Sequence, residues 1–158
     1  MRSRWSFSGA WCRGNFADAA AVVPGCRETF AAAAHAGSLP AGGLRAGDSV
    51  TLTLYYQAAQ ATAVDLTRFV HVYDPALGLA AQADSQPQSG RNPTSAWQPG
   101  EQVVEHVVLT ISPAAKPGRY QLLLGFYDPA NGSRLAVLDA ANQSLPDGRL
   151  PITTVTLE

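Results

Sequence analysis

The chain has 158 residues and a mass of 16.6 kDa, the size of one ordinary domain with enough length to bury a core. Hydrophobic residues make up 46% and charged residues 15%, which excludes a disordered chain, and the net charge of -1 excludes the basic surface of a nucleic-acid binder. Since the sequence has no run of about 18 apolar residues free of charge, Pro and Gly, it predicts no membrane span.

The composition changes near residue 43, so we predict an N-terminal segment over 1–43 and a domain over 44–158. Ala-rich stretches at 16–23 and 27–36 are bounded by Pro and Gly and predict two short helical pieces. The N-terminal segment is therefore expected to be partly helical or irregular.

Two cysteines, Cys12 and Cys26, lie close together in this segment, and a disulfide between them would close a short loop. Such a bond would stabilise the fold by roughly 3 kcal/mol and would imply an oxidising compartment. No apolar region typical of a secretion signal follows the first residues. We therefore expect an extracytoplasmic or cell-surface location, and a cytoplasmic one if the chain is complete and both thiols are free.

Downstream of residue 43, short runs rich in Val, Leu, Thr and Tyr alternate with Gly, Pro, Asp and Asn, which is typical of an all-β domain. The predicted strands are 49–57, 64–74, 79–84, 102–111, 119–128, 134–139 and 152–157. In the first strand, Leu52 and Leu54 share one face and Tyr55 lies on the other. The fifth strand is apolar on both faces, so the side holding Leu123 and Tyr127 must be covered by the N-terminal segment, a loop or another subunit.

An internal repeat divides the domain into two halves. The hexapeptide Tyr-Asp-Pro-Ala-x-Gly at 73–78 recurs at 127–132, and the Gly-acid turn at 45–48 is matched at 98–101. Asp, Pro and Gly in this order predict a hairpin connection. Because each half has an apolar face to bury, we predict two three-stranded halves packed face to face as an antiparallel two-layer β-sandwich, Ig-like or jelly-roll-like.

Several short motifs over 44–157 occur in a specific order. They include Leu54-Tyr55-Tyr56, Phe69-Val70-His71, Pro117-Gly118-Arg119-Tyr120 and Gly125-Phe126-Tyr127-Asp128. In these motifs the segment resembles the C-terminal extracytoplasmic β-sandwich accessory domain of dolichyl-phosphate-mannose-type glycosyltransferase-like membrane proteins of filamentous green non-sulfur bacteria. The resemblance implies a surface-displayed, non-enzymatic module, associated with envelope glycan assembly, whose partner is a glycan or a neighbouring envelope protein.

Carbohydrate contact is the functional hypothesis that the residues support best. Aromatic rings stack on the apolar faces of pyranoses while neighbouring polar groups bind the hydroxyls. Tyr55 on the outer face of its strand, and Trp97 in a polar loop with Arg91 and Asn92, are the candidate glycan contacts; alternatively, Trp97 plugs one end of the sandwich. A structural or self-associating module, which would meet another chain through the face around Leu123, is the other hypothesis, and the oligomeric state is open.

Catalysis and metal binding are not predicted. His71 and Asp74 lie three apart on one strand, so their side chains point to opposite faces and form no dyad, and His106 is expected to be a solvent-facing or satisfied histidine. A small hydrolase is the disfavoured alternative. The acids fall mostly in turns, and turn chemistry explains Asp128 and Asn131 without calcium, so no metal and no cofactor are expected.

Overall fold

The computed structural model describes residues 43–58, 61–137 and 143–158 in full, and the backbone of 30–36. The strands in these ranges are β1 (Phe30–Ala36), β2 (Ser49–Ala58), β3 (Thr67–Asp74), β4 (Gly78–Ser85), β5 (Gln102–Thr110), β6 (Gly118–Tyr127) and β7 (Leu150–Leu157). Short 3-10 turns lie at Pro87–Gly90, Thr94–Ala96 and Pro146–Gly148. The prediction of an all-β fold is confirmed.

The strands form two antiparallel sheets, one in the order β1-β2-β5 and the other in the order β4-β3-β6-β7. Buried side chains of both sheets make one core between them, where the ring of Tyr56 on β2 meets Phe126 on β6 edge-on at 5.4 Å. In β2 the predicted alternation holds, since Leu52 and Leu54 are buried while Tyr55 faces outwards. This two-layer arrangement is the predicted sandwich.

The two sequence halves do not form one sheet each, so that part of the prediction is wrong. β2 pairs with β5 in one sheet and β3 pairs with β6 in the other. Residues at matching places in the repeat lie opposite each other, Thr53 facing His106 and Val70 facing Leu124. Each pair is therefore related by a local twofold axis between its two strands. Pairing between the halves gives β3 and β6 hydrogen-bonded neighbours on both sides.

The matching turns of the two halves have the same local hydrogen bonds. Asp48 and Glu101 each accept a hydrogen bond from the amide three residues earlier at 2.8 Å. Asp74 at the end of β3 and Asp128 just after β6 each accept one from the amide two residues later at 2.8 Å. The predicted equivalence of the two Tyr-Asp-Pro turns is confirmed.

The end of the N-terminal segment is a strand. Phe30–Ala36 pairs with β2 along its whole length, although the alanine-rich stretch 27–36 was expected to be helical. Alanine favours helices in isolation, but pairing here satisfies the backbone groups along one edge of β2, and this tertiary contact overrides the local preference. Residues 16–23 and the candidate disulfide between Cys12 and Cys26 lie outside the described residues.

The second half departs from the repeat just after β6. Arg134 makes a single bridge to Tyr127, but β7 then takes the place beside β6, so the described part of the predicted strand 134–139 is not a regular strand. Residues 134–149, described over 134–137 and 143–149 and called the crossing segment below, connect β6 to β7.

The crossing segment covers the outer face of the four-stranded sheet. A Cβ atom on Gly125 would lie 2.6 Å from the carbonyl oxygen of Gly148 and 2.2 Å from the Phe69 ring, so the segment packs directly on β6. Leu123, on the same face, is 4% exposed. The second apolar face of β6 is thus covered by a loop of the same chain, one of the three covers that the sequence allowed.

Replacing Gly125 with alanine is expected to lower the free energy of unfolding by roughly 1–3 kcal/mol, because the added methyl group must displace the crossing segment's backbone. Urea unfolding followed by circular dichroism measures the change. Gln121→Ala, an exposed position on the same strand, is the control and is expected to change stability by less than about 0.5 kcal/mol. Equal stability of the two variants would contradict the close packing of the crossing segment.

Candidate functional site

The outer face of the three-stranded sheet is uncharged over β2 and β5. We call the following outward residues of these two strands the uncharged face: Ser49, Thr51, Thr53, Tyr55, Gln57, Gln102, Val104, His106, Val108 and Thr110. The antiparallel register places them in directly opposed pairs, such as Tyr55 with Val104. Their neighbours in sequence point into the core, so every one of these side chains lies on the outer side of the sheet.

Polar side chains of the two strands pair across this face. Thr53 Oγ1 lies 3.1 Å from His106 Nδ1, and Ser49 Oγ lies 2.9 Å from Thr110 Oγ1. His106 is exposed to solvent and hydrogen-bonded, as the sequence suggested. The face combines one aromatic ring with hydroxyl, amide and imidazole groups, which can contact an apolar surface and exchange hydrogen bonds with hydroxyl groups.

The predicted loop residues Arg91 and Asn92 lie beside this face rather than on it. The side-chain amide of Gln88 donates to the carbonyl oxygen of Val104 at 3.0 Å, and the carbonyl oxygen of Gln88 accepts from Arg91 Nε at 3.3 Å. Through Gln88, the exposed Arg91 is therefore connected to Val104, the β5 residue that pairs with Tyr55. Asn92 supports the loop, because its carbonyl oxygen accepts a hydrogen bond from the indole of Trp97.

Trp97 belongs to the core, and its assignment as a glycan contact does not agree with the structure. The side chain is 2% exposed and stacks on the Tyr56 ring at 5.4 Å between centroids. Its Nε1 donates to the carbonyl oxygen of Asn92 at 3.2 Å, so both the apolar and the polar part of the indole have partners inside the domain. The alternative, in which Trp97 closes the sandwich, is the arrangement observed.

A buried charged cluster lies between the sheets, and the sequence analysis missed it. Glu105 Oε1 accepts hydrogen bonds from Arg68 Nε at 2.9 Å and from the Tyr56 hydroxyl at 2.6 Å, and its Oε2 accepts from the amide of Gln88 at 2.8 Å. Arg68 also donates to the carbonyl oxygen of Ala83 at 2.6 Å. Burial and the neighbouring carboxylate raise the pKa of Tyr56 well above its usual value, so its hydroxyl stays a donor. The cluster joins β2, β3 and β5 to the loop before Arg91.

The outer face of the four-stranded sheet holds a second group of polar side chains, centred on His71. Its Nε2 lies 3.4 Å from Asp84 Oδ1 of β4, and its ring lies 4.8 Å from that of Phe69. Asp74 is used in its turn, so His71 and Asp74 form no dyad, as predicted. Burial lowers the pKa of His71, and the nearby Asp84 carboxylate opposes this shift without cancelling it.

Within the described ranges, no three His, Cys, Asp or Glu side chains come together as possible metal ligands. Asn131 Nδ2 donates to Asp128 Oδ2 at 3.3 Å, within the turn that the two residues build. No helix in the described part of the chain has the length and apolar character to cross a bilayer.

The described residues define a small all-β, two-sheet sandwich domain whose β2 and β5 carry the uncharged face. No protein-family model matches the chain, and no curated protein matches it. Among solved structures, the chain is similar to a beta-glucosidase from Listeria innocua in complex with gluconolactone, with 12% sequence identity and a TM-score of 0.35. The match covers 80% of this chain but only 16% of the other, and at this TM-score it carries no argument for function.

Proposed function

We propose that this chain is a non-catalytic, extracytoplasmic β-sandwich accessory module that contacts neutral carbohydrate through its uncharged face. The proposal includes the association with envelope glycan assembly that the motif resemblance implies. The observation that carries it is the composition of the face, where Tyr55 lies among hydroxyl, amide and imidazole groups without a single Asp, Glu, Lys or Arg.

Neutral sugars suit such a surface for two reasons. A pyranose has an apolar face that gains from contact with an aromatic ring, and its hydroxyl groups need short polar partners of both hydrogen-bonding kinds. Thr53 and His106 supply these partners, because they form the next outward-facing pair after the pair of Tyr55 and Val104. Because no charged side chain is present on the face, it offers no ion pair to an acidic polymer.

The carboxylates of the domain support the non-catalytic part of the proposal through the partners they have. Glu105 is hydrogen-bonded to Arg68 and Tyr56 inside the core. Asp74 and Asp128 accept backbone hydrogen bonds in their turns. These acids therefore perform structural tasks that the fold requires, which leaves them poorly suited to proton transfer.

Native gels cast with a panel of neutral and acidic polysaccharides test the proposal. The wild-type chain is expected to be retarded by at least one neutral polymer. Tyr55→Ala is expected to weaken that interaction by roughly 2- to 13-fold, the value of an aromatic contact of about 0.5–1.5 kcal/mol. His106→Ala is expected to weaken it in the same direction.

Arg119→Ala is the matched control, because Arg119 is exposed on the other sheet. It is expected to leave the retardation unchanged. Absence of retardation by every neutral polymer, or equal loss in Arg119→Ala and Tyr55→Ala, would remove the carbohydrate proposal.

A second candidate function is self-association through the uncharged face, and not through the predicted face around Leu123, which the crossing segment covers. It is favoured by the exposure of Val108 (60%) and Val104 (43%), which is high for apolar side chains on a regular sheet. Light scattering after size exclusion distinguishes the candidates. If the face pairs with a second copy, the mass doubles at high concentration and returns to one chain in Val108→Lys, whereas a constant single-chain mass contradicts self-association.

A further inference from the structure

Three basic side chains, Arg134, His71 and Arg149, form a row on the outer face of the four-stranded sheet, which is not the sheet that carries the uncharged face. Phe69, His71 and Tyr73 follow one another on the outer side of β3. The Arg134 guanidinium carbon lies 4.8 Å above the Phe69 ring centre, and that of Arg149 lies 5.0 Å above the Tyr73 ring centre. His71 therefore lies between two arginines, each stacked on an aromatic ring.

The side chain of Arg149 passes over the cross-strand row that contains His71, Leu123 and Pro151. Leu150 pairs with Leu124, so Arg149 starts beside Gly125, in the row that contains Phe69. Its guanidinium ends on Tyr73, two rows further along β3. The aliphatic part of the Arg149 side chain must therefore pass over the row that lies between those of Phe69 and Tyr73, and this row contains His71.

Two buried nitrogen atoms of this row lack hydrogen-bond partners among the described residues, whereas Arg134 donates to the carbonyl oxygen of Asp147 at 3.3 Å. Within the described residues, the guanidinium of Arg149 has no hydrogen bond, and its Nε is buried. In the same ranges His71 Nε2 is also buried, and its contact with Asp84 at 3.4 Å lacks hydrogen-bond geometry. Buried polar nitrogens are rarely left without a partner in a folded protein, so these two atoms on one face indicate a polar ligand.

We propose that Arg149 and His71 bind an oxyanion group on this face, independently of the uncharged face, and that Arg134 adds positive charge nearby. Stacking uses the flat face of a guanidinium and leaves its N–H edge free for two parallel bonds to a carboxylate or sulfate. The same oxyanion chemistry can come from a free inorganic anion or from the acid group of a charged sugar.

The charges around the row allow such a ligand to enter. Asp147 Oδ2 lies 3.8 Å from the Arg149 guanidinium, but the Asp147 side chain is 67% exposed, so it is a weak competitor. Asp84 of β4 pairs with Phe69 and reaches His71 diagonally at 3.4 Å, whereas the residues in the row of His71 are the uncharged Gln82, Leu123 and Pro151. Arg134 is exposed, which gives an approach from solvent.

The affinity for the anion is expected to depend on pH, because the ring of His71 can be protonated. In the free domain, burial and both arginines hold the pKa of His71 low, so the ring is neutral near neutral pH. A bound anion would favour the protonated ring and raise this pKa. By linkage, affinity for the anion is expected to be higher at about pH 5.5 than at about pH 8.

The experiment is an NMR titration of the whole chain with sodium sulfate and, separately, sodium glucuronate, at constant ionic strength kept with chloride. Saturable shifts are expected for the His71 ring and the Arg149 side chain, with tighter binding at the lower pH. Arg149→Gln is expected to weaken binding by at least roughly tenfold, since it removes charge-assisted hydrogen bonds. His71→Gln is expected to remove the pH dependence.

Arg91→Gln is the matched control, because Arg91 is exposed and donates to Gln88 of its own loop. It is expected to bind both anions as the wild type does, and so is Tyr55→Ala, which separates this site from the proposed carbohydrate contact. Binding of both anions supports a general oxyanion site, and binding of glucuronate alone supports an acidic sugar. Shifts that do not saturate, or that persist in Arg149→Gln, would overturn the proposal.

Discussion

Replacing Glu105 with glutamine is expected to lower the free energy of unfolding by about 3–5 kcal/mol. The substitution keeps the shape of the side chain and one carbonyl acceptor, but it removes the negative charge opposite Arg68. Because both side chains are almost wholly buried, with 4% and 3% exposure, the guanidinium would be left as an uncompensated charge inside the sandwich. Urea unfolding of the two proteins measures the difference.

The exposed pair of Arg45 and Glu158 is the matched control for this effect. Its atoms lie 3.6 Å apart, but the two side chains are 76% and 51% exposed. Glu158→Gln makes the same chemical change as Glu105→Gln, and it is expected to cost less than about 1 kcal/mol because water screens the pair. Similar losses in the two variants would show that Arg68 and Glu105 are not isolated from solvent as the structure describes.

A double substitution separates the charge pair from general packing. In Arg68→Met with Glu105→Leu, no buried charge remains, although the Tyr56 hydroxyl and the Gln88 amide lose their acceptor. The double variant is therefore expected to be more stable than the sum of the two single losses predicts. Strict additivity would contradict a direct interaction between the two charged groups.

The pattern that reveals Glu105 is visible in the sequence. In β5, Val103, Val107 and Leu109 share the inward face, and strict alternation places Glu105 among them. An acid on an apolar face requires a buried partner, and the cation on the inward face of β3 is Arg68. Alternation thus identifies both members, but the contact itself depends on how the sheets are aligned, which no pattern within one strand specifies.

The conformation of the turns could also be predicted from neighbouring residues alone, whereas the pairing of the strands could not. Asp74 and Asp128 organise their turns through hydrogen bonds to amides only two residues away. The partner of a strand depends on contacts distant in sequence, so the exchange of strands between the halves could not be read from the repeat alone. Phe30–Ala36 shows the same limit, since its pairing with β2 prevails over the helical tendency of alanine.

The break in the repeat after Tyr127 creates the features that distinguish the two outer faces. In the first half, the chain after the Tyr-Asp-Pro turn returns as β4 beside β3. In the second half β7 occupies the corresponding place, and the crossing segment carries Arg134 and Arg149 onto the rings of β3. The outward residues of β2 and β5 are therefore uncharged, while the other outer face acquires cations next to His71.

Replacing Trp97 with alanine is expected to lower the free energy of unfolding by about 3–5 kcal/mol, the usual loss for a large aromatic side chain removed from a core. The indole contacts Tyr56, whose hydroxyl bonds to Glu105, so the cavity would lie next to the buried charged cluster. Trp97→Phe is expected to lose less, because it keeps a stacked ring and gives up only part of the volume and the bond to Asn92.

Tyr55→Ala provides the comparison that separates packing from ligand contact. Its ring lies on the outer face of β2, so its removal is expected to cost less than about half of what Trp97→Ala costs in stability. In polysaccharide gels the order should reverse, since Trp97→Phe is expected to keep the wild-type retardation while Tyr55→Ala weakens it. A Trp97→Ala variant as stable as the wild type would mean that the indole does not close the core, and the aromatic ring available to a sugar would then have to be reassigned to the loop.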